Sequence, residues 1–306
     1  MAAACVLLVT ACSSSKGVAP TKPSPVIARV ATDTITLAQF NVRYESALVS
    51  IVQGGAGGNP AQTTALRTTV LRSLIIDTVI REEAAQLGLE VTAKEIHAQV
   101  STDAASAGGM SALEANLAGA GGSIAQLEDE ISSSLNEQRL EDHFAKARAT
   151  MIEQTLASGA NFIATAKEFS DDTGTSTKGG DLGVLTAAEL KKYNSSFAAA
   201  VVALKVGTYT KTPIHDAGGY DIVMLYSESA MGFGVRHILV YAGNPYAVSD
   251  RPNWFAESLF TALAQLCQAK QIDVTLTNAG GNPCTPPSYS PAPTSPTPKP
   301  TASASP

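Results

Sequence analysis

The stretch that decides the fold runs from Phe162 to Tyr226 and reads FIATAKEFSDDTGTSTKGGDLGVLTAAELKKYNSSFAAAVVALKVGTYTKTPIHDAGGYDIVMLY. Glycines at 179, 180 and 183 permit a tight loop with backbone angles that other residues avoid. Residues 197–204 form an apolar segment typical of a buried helix, and residues 219–226 alternate as a strand does. These pieces together predict an α+β domain with glycine-rich turns.

Four short sequence motifs follow one another in this stretch at specific spacings. They are FSDD at 169–172, GGDLG at 179–183, ALKVG at 203–207 and GGYDI at 218–222. As a set they resemble the body of a parvulin-type peptidyl-prolyl isomerase domain. The resemblance implies a four-stranded antiparallel sheet flanked by helices. The alternative is an unrelated α+β domain with glycine-rich turns.

One predicted strand lies at a different position along the chain than in the family. Parvulin domains normally begin with a strand of the form HILV ahead of the first helix, whereas here VRHILV, residues 235–240, follows the last strand. We therefore predict a circularly permuted domain, in which residues 227–234 join the two neighbouring strands as a hairpin. The alternative is that residue 235 opens a second, degenerate repeat.

The resemblance also implies an active site. His237 matches the first active-site histidine of the family, and Asp172 stands where the family has Cys or Asp beside the substrate carbonyl. Asp221 occupies the place of the second histidine. An Asp–His pair can fix the imidazole tautomer, but the replacement can equally weaken catalysis or indicate a domain that only binds.

A pocket for the proline ring is the second part of such a site. By resemblance it maps to Leu182, Leu190 and Phe197, for which plain core packing is the alternative. Rotation about an X-Pro bond has a barrier of about 18–20 kcal/mol because amide resonance must be broken. A catalyst lowers it by gripping the ring, excluding water and favouring the twisted amide.

The half of the chain before this domain is predicted to be almost wholly helical. Residues 26–37 read as a strand–turn–strand, after which Thr36 caps a helix. A long amphipathic helix over 62–87 and a last helix from Ser123 to Thr150 follow. Between them, TAKE at 92–95 and SALE at 111–114 each fit a capping box and predict a helix start.

This half resembles the N-terminal domain of SurA-like and PrsA-like folding factors. The matching stretches within residues 26–145 are VIARVATDTITLAQF, LIIDTVIREEAAQLGLEVTAKEI and LEDEISSSLNEQRL. The resemblance implies a cradle that holds unfolded polypeptides, and a generic helical bundle is the alternative. We predict a chaperone domain over 26–148 and an isomerase domain over 149–275.

The N-terminus carries a candidate export signal. CVLLVTAC, ending at Cys12, resembles the lipobox of bacterial lipoprotein signal peptides, which implies removal of residues 1–11 and acylation of Cys12. The alternative is an apolar N-terminus without a role in export. Residues 12–25 read as a linker. The resemblance places the protein on the outer face of the bacterial cell membrane, held by a lipid anchor.

The C-terminal part of the chain contains two cysteines and a tail of biased composition. An exported compartment permits a disulfide between Cys267 and Cys284, although two free thiols are also compatible with the sequence. Residues 283–306 are rich in Pro, Ser and Thr, a composition that cannot bury a core and predicts a disordered tail.

Composition narrows the function classes. A net charge of −6 over 306 residues argues against nucleic acid as a partner, and no cysteine or histidine spacing indicates a metal or cofactor. The leading hypothesis is a prolyl isomerase and chaperone acting on exported polypeptides with X-Pro bonds. The alternatives are a non-catalytic holdase on a parvulin frame and a cell-wall scaffold or adhesin.

Overall fold

The structure is a computed structural model that describes residues 23–53, 60–242, 253–276 and 281–284. The predicted signal peptide (1–11), Cys12 and nearly all of the tail predicted over 283–306 lie outside the described residues, as does most of the linker predicted over 12–25. Within the described ranges, no helix combines the length and apolarity needed to cross a membrane.

The N-terminal half begins with the predicted hairpin and continues as helices. Strands β1 and β2 pair antiparallel, with Val30 opposite Asp33 across the turn. Thr36 then caps the first helix, because its hydroxyl accepts a hydrogen bond of 3.3 Å from the backbone N–H of Gln39. The elements are β1 (Val26–Val30), β2 (Asp33–Thr36), α1 (Leu37–Gln53), α2 (Pro60–Gln86), α3 (Ala93–Ala107), α4 (Met110–Gly119) and α5 (Ile124–Ala157).

One of the two predicted capping boxes is confirmed and the other is wrong. At the start of α3, the Thr92 side chain accepts from the backbone of Glu95, whose carboxylate accepts from the backbone of Thr92. Ser111 lies inside α4 instead of capping it, and Gly109 is the N-cap without a side-chain bond. The reason is that Gly108 ends α3 in a left-handed conformation, which lets α4 begin immediately afterwards.

The second half carries an antiparallel sheet in the order β3-β7-β6-β4, with β5 also paired to β6. The sheet therefore has five strands where four were predicted, because β4 and β5 each pair with a different part of the long β6. The elements are α6 (Phe162–Phe169), β3 (Asp181–Leu185), α7 (Ala187–Leu190), α8 (Ser195–Ala203), β4 (Thr208–Tyr209), β5 (Ile214–Asp216), β6 (Gly219–Ser229) and β7 (Gly232–Tyr241).

The strand with the sequence HILV lies in the middle of this sheet. It forms β7, which joins β6 through a tight hairpin in which Ser229 lies opposite Gly232. On its other side β7 pairs with β3, with Leu185 opposite Phe233. The strand thus completes the same sheet as the preceding residues, although it comes last in the chain. That this order is a permutation of the family's own order stays a prediction.

The C-terminal elements return to the N-terminal half. Helix α9 (Asn253–Gln268) is followed by β8 (Ile272–Val274), which pairs with β1. Cys267 and Cys284 are joined by a disulfide with their Cα atoms 5.4 Å apart. Strand β8 thus pairs with the N-terminal sheet, although it lies within the range predicted for the isomerase domain, whose bounds stay a prediction.

A shared core joins the two halves. Helix α5 runs without a break across the boundary predicted between residues 148 and 149. Its Leu140 and Ile152 are fully buried in one cluster with Ile222 and Ile238 of the sheet. Helix α9 contributes to this cluster near its start and to the N-terminal cluster near its end. The site described below thus lies on a sheet that packs against helices from both halves.

Candidate functional site

The predicted site residues His237, Asp172 and Asp221 meet in space. His237 lies on β7 and Asp221 on the adjacent strand β6, so that Asp221 Oδ1 is 2.7 Å from Nδ1 of the imidazole. The other ring nitrogen, Nε2, is 2.8 Å from Oδ2 of Asp172, in the loop after α6. The imidazole is therefore held between two carboxylates.

This arrangement favours a charged imidazole. Ionised carboxylates only accept hydrogen bonds, so a ring contacting one at each nitrogen binds best with both nitrogens protonated. Burial by itself lowers the pKa of His237, but the hydrogen bonds and charges of Asp221 and Asp172 outweigh it and raise that pKa. Burial raises the pKa of Asp221, which the hydrogen bond to His237 partly opposes.

Asp172 is the more accessible of the two carboxylates. Its side chain is 26% exposed, against 7% for Asp221 and 10% for His237. Burial raises its pKa, but hydrogen bonds from Thr175, His237 and the backbone of Gly174 prevail and lower it. Asp172 thus stays ionised at the surface of the site, while Asp221 lies behind the imidazole.

The loop that carries Asp172 is shaped by its own hydrogen bonds. The hydroxyl of Thr175 donates to Asp172 Oδ2 and lies 3.1 Å from His237 Nε2. The carbonyl of Gly180 accepts from the backbone N–H of His237 at 2.8 Å. Gly180 has a φ of +75°, and a Cβ there would overlap the carbonyl oxygen of His237. Glycine is therefore required where this loop crosses β7.

The three residues predicted to hold a proline ring differ in their exposure. Leu190 and Phe197 are 4% and 1% exposed and belong to the core beneath the sheet, with Leu182 packed partly buried against them. Phe197 approaches His237 edge-on, with ring centroids 6.4 Å apart. Tyr193 stacks on Phe197 at 4.9 Å and is 36% exposed.

Sequence reasoning missed Thr175 and Tyr193. Thr175 follows Asp172 by three residues, a spacing typical of side-chain-capped turns, so its link to Asp172 had a local signal. Tyr193 lies four residues before Phe197, but that spacing does not place the pair beside His237, which depends on the long-range contact between Phe197 and His237. A shallow cavity of about 340 Å³ is lined by Tyr193 together with Leu185, Glu189 and Lys192.

Two family models match the chain. The model of the SurA-like N-terminal domain matches residues 1–116, and that of the PPIC-type peptidyl-prolyl isomerase domain matches residues 130–227. The second match ends before β7, so it includes Asp172 and Asp221 but not His237. Over these two ranges the chain is similar to a SurA-like N-terminal domain followed by a PPIC-type isomerase domain.

The chain is also similar to PrsA foldases and to a SurA chaperone. Foldase protein PrsA of Latilactobacillus sakei is 29% identical over 116 residues, which are 38% of this chain and 36% of the relative. Chaperone SurA of Chromohalobacter salexigens is 37% identical over 28% of this chain and 18% of its own length. Foldase protein PrsA of Clostridium botulinum is 35% identical over 26% of this chain and 23% of its own length.

These matches confirm the predicted parvulin-type and SurA-like resemblance, but the aligned segments span little more than a third of each relative at most. The crystal structure of foldase protein PrsA from Streptococcus pneumoniae aligns with 81% of this chain and 94% of its own, at 15% identity and a TM-score of 0.29. That overlap is too loose to support any argument about the site.

Proposed function

We propose that this protein catalyses cis–trans isomerisation of X-Pro bonds in unfolded polypeptides. The observation that carries the proposal is the buried imidazole of His237, fixed at both nitrogens by Asp221 and Asp172 at one edge of the site. The class of the domain supports it as well. Such a site holds charge in a fixed geometry, which is what a reaction without covalent chemistry requires.

In the proposed reaction the protein acts on the carbonyl of the residue before proline. As the amide twists, conjugation between nitrogen and carbonyl is lost and the nitrogen lone pair becomes localised. Asp172 faces solvent and lies nearest to an entering chain, and its charge disfavours the conjugated amide, whose oxygen is partly negative. Asp221 keeps the imidazole of His237 oriented toward Asp172 and Thr175, so that the anionic edge stays in place.

The proline ring in this proposal contacts Tyr193 and Leu182 first. Phe197 lies beneath Tyr193 and supports it, while Leu190 fills the core behind. A ring held against these side chains leaves water on one face only, which favours the less polar twisted amide. Leu190 and Phe197, which were predicted to line the pocket for the proline ring, have in this proposal a supporting role instead, because both are buried.

A second candidate function is a holdase that binds extended chains without isomerising them. The observation that favours it is Asp221, a buried carboxylate at the position where the family pattern has a second histidine. Such a protein would keep the apolar contacts of the site and lack turnover. The two functions differ in one measurable property, the rate of exchange between cis and trans peptide.

The deciding experiment is exchange NMR on Xaa-Pro peptides with the wild-type chain and the His237→Ala variant. We expect acceleration by the wild type and at least a tenfold loss in the variant, by analogy with the usual contribution of a positioned catalytic group, about 10²–10⁴-fold. His215→Ala is the matched control, since His215 pairs with Asp142 at 3.1 Å outside the site. Absence of acceleration, with suppressed aggregation of an unfolded client, would favour the holdase.

We further propose that the protein acts outside the cytoplasm, anchored to the membrane through Cys12. The lipobox-like sequence supports this, and the disulfide between Cys267 and Cys284 is compatible with an oxidising compartment. Labelling with a fatty-acid analogue in a bacterial host should mark the wild type and not Cys12→Ser, which should leave the membrane fraction. Equal membrane recovery of both would contradict the anchor.

A further inference from the structure

The residue before Asp172 connects the site to an element outside the matched isomerase domain. Asp171 Oδ2 accepts two hydrogen bonds, each of 2.9 Å: one from the backbone N–H of Tyr241 and one from the indole Nε1–H of Trp254. Trp254 lies in the first turn of α9 and is 8% exposed. One carboxylate oxygen thus joins the site loop, the end of β7 and the start of α9.

The same loop is held along β7 by its backbone. Asp171 donates its N–H to the carbonyl of Leu239 at 2.8 Å, and the Ser170 hydroxyl accepts from the N–H of Leu239 at 3.1 Å. Residues 170 and 171 therefore run beside β7 two to four positions beyond His237. A shift of Asp171 along this strand necessarily carries Asp172 away from the imidazole.

A cationic side chain, Arg148, also contacts Trp254. The guanidinium of Arg148, on α5, lies over the rings of Phe169 and Trp254, 5.5 and 5.8 Å from their centroids. Burial raises the pKa of Asp171 above its ordinary value, and the bonds from Tyr241 and Trp254 and the charge of Arg148 oppose this rise without cancelling it. These three groups favour the ionised form of Asp171 against the effect of burial.

The far end of α9 is fixed in the N-terminal half. Leu263 and Leu266 pack in the N-terminal core, and Cys267 is bonded to Cys284. Helix α9 therefore fixes Trp254 relative to the N-terminal sheet. The family model ends at residue 227, so neither α9 nor its contact with the loop belongs to the matched domain.

We infer that Trp254 is a positioning residue for the isomerase site: its indole N–H holds Asp171 and thereby sets the distance between Asp172 and His237. This inference rests on the proposed function. It makes the C-terminal helix a required part of the site, acting through the loop without touching the substrate.

The test uses Trp254→Phe in the full chain, which keeps an apolar ring and removes the N–H donor. We expect kcat/KM for an Xaa-Pro peptide to fall about tenfold, because small displacements of catalytic groups have large effects on rate. Phe255→Leu is the matched control. Phe255 is also buried in the same cluster and its side chain has no N–H, so this variant should lower the melting temperature and leave the rate within about twofold.

A second readout does not depend on turnover. The chain has one Trp and four His residues, so the indole signal is unique and the His237 imidazole can be assigned with His237→Ala. Trp254→Phe should shift the ¹⁵N resonances of His237, and Phe255→Leu should not. Asp171→Asn, which retains an acceptor oxygen, should recover much of the rate lost in Asp171→Ala.

The outcomes separate this inference from the proposed function. A wild type without isomerase activity would refute the function, and the imidazole resonances would then decide the inference alone. Unchanged His237 resonances in a folded Trp254→Phe protein would overturn the inference. Equal losses of rate in Trp254→Phe and Phe255→Leu would overturn it too, because they would indicate a general effect of core stability.

Discussion

The substitution Asp221→Asn tests the charge state of the site directly. The carboxylate of Asp221 lies 2.7 Å from Nδ1 of His237, and both side chains are at most 10% exposed. A hydrogen bond to a charged group contributes about 1.5–3 kcal/mol to stability. Because Asn keeps an acceptor oxygen in the same place, the variant loses the charge and retains most of the packing.

The expected effect depends on pH in a defined direction. The pKa of His237 is raised above its ordinary value of 6.5 by Asp221 and Asp172, after the opposing effect of burial. Its pairing therefore stabilises the fold fully below pH 6.5 and is lost as pH rises through the raised pKa. The free energy of unfolding of the wild type should fall as pH rises over that window. That of Asp221→Asn should be about 1.5–3 kcal/mol lower at pH 6 and should fall less as pH rises.

Urea unfolding at pH 6, 7, 8 and 9 measures this difference, with the ¹⁵N resonances of His237 followed in parallel. Asp77, whose pKa is raised to about 6 by burial, titrates alike in both proteins and cancels in the comparison. Asp181→Asn is the matched control, since Asp181 pairs with Arg236 at 2.9 Å and arginine does not titrate in this range. Its effect should not vary with pH.

Parallel pH profiles for the wild type and Asp221→Asn would refute the reasoning. They would mean that the imidazole of His237 is neutral at every pH tested, or that Asp172, the partner of its Nε2, alone determines its charge. An unchanged titration of His237 in the variant would lead to the same conclusion. A steeper profile in the variant would reverse the assigned sign and would place the proton on Asp221.

Two further predictions concern the scaffold. Gly180→Ala should destabilise the fold more than Gly183→Ala, because a Cβ at Gly180 would overlap the backbone of His237 and a Cβ at Gly183 would meet nothing. For Gly183→Ala the left-handed backbone alone should cost about 1–2 kcal/mol. Equal losses of stability in urea unfolding would contradict this. Cys267→Ser should lower the free energy of unfolding by about 3 kcal/mol through the closed loop to Cys284, 17 residues away. Reductant should then lower the stability of the wild type and leave the variant unchanged.

Much of the site could be predicted from sequence because its residues lie in locally recognisable motifs. FSDD, GGYDI and HILV each indicate a turn or a strand, and the resemblance relates them to one another. The structure brings Asp172, Asp221 and His237 together as those motifs predict. Their chemical roles stay predictions, since contact between side chains does not establish turnover.

The sequence by itself determined the elements whose signals are local: the first hairpin, the capping box at Thr92, the long helices and the strands β3, β6 and β7. Only the tertiary structure decided that β8 pairs with β1 and that Trp254 reaches Asp171. Periodicity and capping arise between residues a few positions apart, so they can be read along the chain. These contacts instead join distant segments, and they exist only because the packed core brings those segments together.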